Sequence, residues 1–321
     1  MMQRRQFIKG SAILGFTIAH STSLLGESGL YQISIDRKVR RILSSDKVSV
    51  GTLPVIRAFA GNHVDHVSPF ILLDEFGPSA VPAGSEPLRV NAHPHAGVTP
   101  TTYFMSGSGH HKDSLDYDFQ IEKGDFMLFS SGRGAIHMEE SGQSLVDEGG
   151  QYHGFQIWLN TPAQYKFEAP ETYVFRNDRM NTLIAEQYSI KVILGKLWGA
   201  HSNVRTLTPA FYYHIKLRPN ARIDIPIDGQ HNAFAYQIAG AVELAGQKLL
   251  KPTQLALFER QGDQVSLFSK LGAELLLLGG EPLNEPVFSY GPFVMNSREQ
   301  IKQCIVDYRA GKMGNPDLVN L

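Results

Sequence analysis

The chain has 321 residues, more than a single hydrophobic core of roughly 250–300 residues holds, so two domains are expected. Hydrophobic residues make up 42%, which excludes wholesale disorder, and 30 Lys plus Arg against 31 Asp plus Glu leave a net charge of −1 and no basic footprint for nucleic acid. A single cysteine, Cys304, excludes an intramolecular disulfide and any cysteine-rich zinc or iron–sulfur site, so a metal has to be held by histidine and carboxylate.

Residues 1–26 read as an address. Arg4 and Arg5 precede Phe7 and Lys9, and a weakly apolar run from Gly10 to Leu25 follows. This is the order of a twin-arginine export signal, and the run is too short and too polar for a membrane span. A periplasmic or otherwise exported protein, folded around a cofactor before export, is expected.

Past residue 30 the turn signals recur at short intervals: Pro54, Gly61, Pro69, Gly77-Pro78, Gly107, Gly124-Asp125, Gly132 and Gly149-Gly150. Between them lie runs of Val, Ile, Phe, Tyr and Thr, the pattern of an antiparallel all-β sandwich or barrel. Ala221–Ile227 alternates strictly, with Ile223, Ile225 and Ile227 on one face. One stretch is helical. Ser297 with Gln300 forms a capping box, and Ile301, Cys304, Ile305 and Tyr308 share a face, ending at Gly311. Cys304 is thereby placed in the core.

The chain also resembles itself. Tyr103-Phe104-Met105-Ser106-Gly107 followed by Lys123-Gly124-Asp125 recurs loosely as Tyr236-Gln237-Ile238-Ala239-Gly240 followed by Gln261-Gly262-Asp263. Two β-domains of similar build are expected, 27–165 and 166–321, joined where Pro162 and Pro170 cluster with charges.

Chemistry concentrates in the first domain. His93-Pro94-His95 puts two imidazoles at i and i+2 on one face of an extended segment, because Pro94 forbids helix. His137 and Glu139 repeat that spacing after the Gly132-Arg133-Gly134 turn. If the two strands face each other across a barrel mouth, three nitrogens and one oxygen converge and leave open positions. That set suits Fe(II), Mn or Ni better than a closed structural zinc. Glu140 is turned away by strand alternation. The second repeat cannot rebuild the site, since no histidine follows His231; it is structural or a lid.

With these motifs in order, the chain resembles the pirin family, bicupin proteins related to bacterial quercetin dioxygenases. The resemblance runs through Phe70–Pro78, His93-Pro94-His95, His111-Lys112-Asp113-Ser114-Leu115, Gly132-Arg133-Gly134, His137 with Glu139, and His153–Asn160. It ends with Gly280–Val287 and Tyr290–Asn296. It implies two cupin-type β-barrels in tandem with a C-terminal helix, and Fe(II) held by His93, His95, His137 and Glu139, with Mn, Ni, Cu or Zn as alternatives. It further implies ring-cleaving 2,3-dioxygenation of a flavonol-like or enediol aromatic substrate by dioxygen, with Glu139 as the base. The other implied role is a non-catalytic, redox-sensing protein-binding module. The sequence departs from the family after His95, where Ala96-Gly97-Val98-Thr99 replaces the common Arg-Gly-Phe-Glu. The export leader argues against the co-regulator role of some eukaryotic members, and no nucleic-acid partner is expected.

Other residues receive plainer assignments. His110 is expected in solvent, His111 at the pocket, and His153 buried and hydrogen-bonded behind the site. Asp113 is read as a turn residue, Trp158 and the Phe126/Leu128 alternation as core, and Arg133 as a passenger of its glycine turn. His63 and His66 show no partner pattern.

Overall fold

The computed structural model describes residues 34–59, 66–246 and 248–319. The leader, the 26/27 boundary and His63 lie outside them. No helix among the described residues is long and apolar enough to cross a membrane.

Each half builds a seven-stranded sheet and a four-stranded sheet. In the first, the seven strands run Glu171–Phe175, Phe126–Ser130, Val98–Ser106, Gly150–Asn160, Phe70–Val81, Leu53–Phe59 and Asp46–Val50. The four-stranded sheet runs Arg89–His95, Ala135–Ser141, Gly109–Asp113 and Asp118–Ile121. The second half repeats this order: Val39–Ser44, Gln254–Phe258, Asn232–Gly240, Ala273–Gly280, Ala210–Leu217, Tyr188–Leu194 and Thr182–Ile184, with Ala221–Pro226, Gln264–Ser269, Val242–Leu244 and Lys248–Leu250 as the smaller sheet. Tyr103 and Tyr236 therefore occupy matching strands, as the internal repeat predicts.

The repeat is closed by exchange of chain ends. Val39–Ser44, from the N-terminal side, pairs with Gln254–Phe258 in the second sheet. Glu171–Phe175, past residue 165, pairs with Phe126–Ser130 in the first. The C-terminal segment also returns to the first barrel: Phe293, Met295, Ile301, Cys304 and Met313 pack with Ala96, Ile136 and Met138. The two barrels share a buried core in which Tyr103, Phe126, Phe155 and Ile157 meet Tyr212, Phe234, Tyr236 and Leu276. Phe126–Phe129 is buried on both faces for that reason, beyond the alternation of Phe126 and Leu128.

The strand matching the first histidine strand is Ala221–Pro226, and its Ile223 and Ile225 point into an apolar core with Val265 and Leu267. The second barrel is filled where the first is open.

The helix is Arg298–Arg309, with the Ser297 side chain accepting from Gln300 N and Cys304 buried. Gln300 reciprocates one residue early, its Oε1 accepting from Asn296 N. Gly311, at φ 72°, follows the last turn. A second, six-residue helix, Gln143–Glu148, escapes the sequence reading because it is one and a half turns long and buries only Leu145.

Candidate metal centre

His93 and His95 lie on Arg89–His95, and His137 on Ala135–Ser141. These strands do not face each other across a barrel mouth; they are antiparallel neighbours in one sheet, with His137 opposite His93. Convergence is thus a cross-strand pairing plus an i, i+2 repeat. Ring centroids lie 4.5 Å apart for His93–His137, 4.9 Å for His93–His95 and 5.0 Å for His95–His137. One ligand atom of each lies within 4.8 Å of the others.

The turn after His95 is built by close approach. Gly97 has φ 70°, and a Cβ there would sit 2.1 Å from the Val294 carbonyl oxygen of the returning C-terminal segment. The buried Lys166 ties these pieces, its Nζ donating to Gly97 O at 2.6 Å, Asn160 Oδ1 at 2.7 Å and Val294 O at 2.9 Å. Burial lowers this ammonium to about 8.

The donor set suits a cation. His93 Nδ1 donates to the Asn91 carbonyl at 2.8 Å, which leaves Nε2 of the neutral ring with its lone pair. That Nε2 lies 3.1 Å from His137 Nε2. Two imidazole nitrogens bound cis to one ion at about 2.1 Å stand about 3 Å apart. His95 adds a buried Nδ1 without a hydrogen-bond partner. Burial, then mutual repulsion, holds His95 and His137 well below the ordinary imidazole value. Burial lowers His93 too, partly offset by the Asn91 carbonyl and Glu139. The cluster is electrically neutral and rich in lone pairs, the state a metal requires.

Glu139 stands differently. It joins His137 in a group with His111, not with His93 and His95, although its charge acts on His93. Both its oxygens are taken: Oε1 accepts from Thr102 Oγ1 at 2.8 Å and Oε2 from Gln156 Nε2 at 2.7 Å. These donors belong to the opposite sheet and draw the carboxylate toward it. Sequence reasoning missed both. The available signal for Gln156 was an isolated amide between Phe155 and Ile157 in a strand otherwise apolar at its centre.

The three remaining assignments that change all concern burial. His111 is fully buried and bonds Asp113 Oδ2 at 3.0 Å instead of facing the pocket. His110 is not free in solvent: it contacts Asp118 at 2.7 Å and Glu140 at 3.3 Å. Trp158 borders the cavity, its ring 4.9 Å from that of His95 and edge-on to it. Glu140 is engaged away from His93, His95 and His137, by Arg89 at 2.7 Å. His153 is buried against Glu75 at 2.7 Å, and Tyr236 of the second barrel donates to the same carboxylate at 2.6 Å. Asp113 keeps its turn role, accepting from Leu115 N at 2.8 Å. Arg133 is exposed.

His93, His95, Thr102, Glu139, Gln156 and Trp158 open on a cavity of about 910 Å³ lined by both sheets of the first barrel. Its walls are mainly apolar, with Val55, Ile71, Phe76, Leu88, Phe104 and Val294 among them. One ion pair is set in the wall, Arg57 to Asp74 at 2.6 Å. His66 stands at its border.

Comparison with known proteins agrees with this architecture. Residues 52–159 match the family model described as Pirin, and residues 212–314 that of the Pirin C-terminal cupin domain. The chain is 31% identical to human Pirin over 285 residues, 87% of this chain and 94% of that one. It is 30% identical to a tomato pirin-like protein over 86% of this chain and 92% of that one. A crystal structure of quercetin 2,3-dioxygenase from Acinetobacter baumannii superimposes with a TM-score of 0.85 at 27% identity, covering 88% of this chain and all of that one. A three-imidazole cluster in the first of two tandem cupin barrels, the second barrel filled, is thus carried by a chain that belongs to the pirin family.

Proposed function

We propose that this protein is a mononuclear non-haem iron dioxygenase that opens the ring of a flavonol-like or enediol aromatic substrate. The observation that carries the reading is a three-imidazole cluster, His137 buried behind His93 and His95, which open on a roomy, largely apolar cavity. His93, His95 and His137 would hold the ion, with Glu139 of the same strand as His137 nearby. A bound ferrous ion supplies Lewis-acid polarisation of adjacent substrate oxygens and a place for dioxygen.

The chain's own residues do the rest. The apolar wall takes the aromatic rings and excludes water. Glu139, held at both oxygens by Thr102 and Gln156, takes the proton of the substrate hydroxyl. The net reaction inserts both atoms of dioxygen and releases one carbon as carbon monoxide. Ala96 and Thr99, where relatives commonly carry Arg and Glu, leave substrate choice to the walls and to the Arg57–Asp74 pair.

The test is direct. Anaerobically purified, iron-loaded protein is mixed with quercetin and oxygen while flavonol absorbance and carbon monoxide are followed. Substrate loss matched by carbon monoxide supports the proposal, whereas no loss across a panel of flavonols and catechols points to a non-catalytic binding module. Parallel loading with Mn, Ni, Cu and Zn identifies the active metal. We also propose export by the twin-arginine route, on the Arg4-Arg5 pattern; replacing both with Lys should retain the protein in the cytoplasm.

A further inference from the structure

We propose that Asp113 and His111 form a positioning relay that fixes the tautomer of His137, so that its Nε2 lone pair is presented to the metal. The last step rests on the metal reading above; the tautomer itself does not, since it is set within the protein.

Asp113 Oδ1 accepts from the backbone N–H of Leu115 at 2.8 Å and of Tyr117 at 3.3 Å. Oδ2 accepts from Thr172 Oγ1 and contacts His111 Nε2 at 3.0 Å. A carboxylate with four donors around it is acceptor only, so the proton between Asp113 and His111 belongs to His111 Nε2. With its one proton on Nε2, the His111 ring has a bare Nδ1 in the relay we propose. That atom lies 3.5 Å from His137 Nδ1, and the contact can be made only if His137 carries its proton there. His137 Nε2 is left bare, aimed at His93 Nε2 3.1 Å away.

The placement is built by strand register. His111 and Asp113 are i and i+2 on Gly109–Asp113, which pairs with Ala135–Ser141 so that Asp113 stands opposite His137. Thr172 arrives on Glu171–Phe175, the strand past the first repeat. His111 and His137 are completely buried and Asp113 is 3% exposed, so solvent does not compete for these protons. Phe129 stacks on His137 at 4.6 Å, fixing the ring plane. A buried carboxylate that orients a histidine one step removed from the ion is a second-layer device that ordinarily changes metal affinity by about 10–100-fold.

The experiment reads the tautomers in full-length, metal-free protein carrying ¹⁵N-histidine, by long-range ¹H–¹⁵N correlation, and then titrates Zn(II) as a diamagnetic probe. Wild-type protein is expected to show His111 protonated at Nε2 and His137 at Nδ1. In Asp113→Asn, the amide can donate to His111 Nε2, which reverses the chain. His137 then becomes protonated at Nε2, and Zn(II) affinity falls about 10–100-fold. His111→Asn, which keeps an acceptor where Nδ1 stood, should stay within about threefold of wild type, while His111→Leu loses affinity as Asp113→Asn does. This pair keeps the test valid if Asp113→Asn fails to fold. His137 protonated at Nε2 in wild-type protein overturns the relay, as does equal affinity of His111→Asn and His111→Leu. A ligand-sized shift of His111 Nδ1 on adding Zn(II) also overturns it, since His111 is then a ligand. The expected tautomers in protein that binds no Zn(II) uphold the relay and remove the metal reading instead.

Discussion

His137 Nε2 stands 3.1 Å from His93 Nε2, although the two residues are 44 positions apart in the chain. Each ring commits its Nδ1 elsewhere, His93 to the Asn91 carbonyl and His137 toward His111, so the facing nitrogens meet lone pair to lone pair. Such a pair is held apart from water by burial and is relieved by a shared cation.

Replacing one of these rings should empty the site without unfolding the barrel. His137→Ala or His95→Ala is expected to lower Fe(II) affinity by at least about 100-fold, since each removes a direct ligand where even outer partners give 10–100-fold. Metal analysis of purified protein, with circular dichroism as the control, reads the outcome. Stoichiometric iron in either variant would assign the ligands elsewhere.

Acid should destabilise the metal-free protein early. His93, His95 and His137 are all held below their unfolded value of about 6.5 by burial. Between the folded and unfolded values the unfolded chain binds more protons, so stability rises with pH through that window and levels off above about 6.5. Urea midpoints of metal-free protein should fall as pH drops from 6.5 toward 5. His95→Asn should flatten the slope.

The grip on Glu139 separates chemistry from metal binding. Gln156→Leu combined with Thr102→Val frees both carboxylate oxygens, so the carboxylate samples several rotamers. Iron content should stay near stoichiometric while turnover falls about 10–100-fold. Glu139→Gln should keep partial metal and lose turnover. Full activity in Glu139→Gln would remove its role as base.

Lys166→Met tests how the C-terminal return supports the centre. It strands three buried acceptors, on Gly97, Asn160 and Val294. A stranded buried acceptor costs about 1–3 kcal/mol, partly offset here by removing a buried charge, so a loss of about 2–4 kcal/mol is expected in urea unfolding. Fe(II) affinity should fall as well, because Gly97 follows His95 by two residues. Unchanged affinity would uncouple the strap from the site.

The sequence alone determined the all-β class, the internal repeat, the capped helix and the residue types of the centre. These are local properties: side-chain alternation, turn residues, i, i+2 spacing and a capping box act over a few residues and are visible in order along the chain. That no histidine follows His231 was equally legible, and the matching strand Ala221–Pro226 turns Ile223 and Ile225 into an apolar core.

What only the tertiary structure decided is which distant residues touch. Strand register put His137 opposite His93 and Asp113 opposite His137. The seven-stranded sheet brought Thr102 and Gln156 to Glu139 and drew it away from His93 and His95. Val39–Ser44 and Phe293–Met313 crossed to the other barrel because each end had an unpaired edge or an open apolar face to cover. Hydrogen bonds between strands far apart in sequence leave no periodicity in either strand, so His111, Asp113 and Gln156 acquire their roles only when the sheets close.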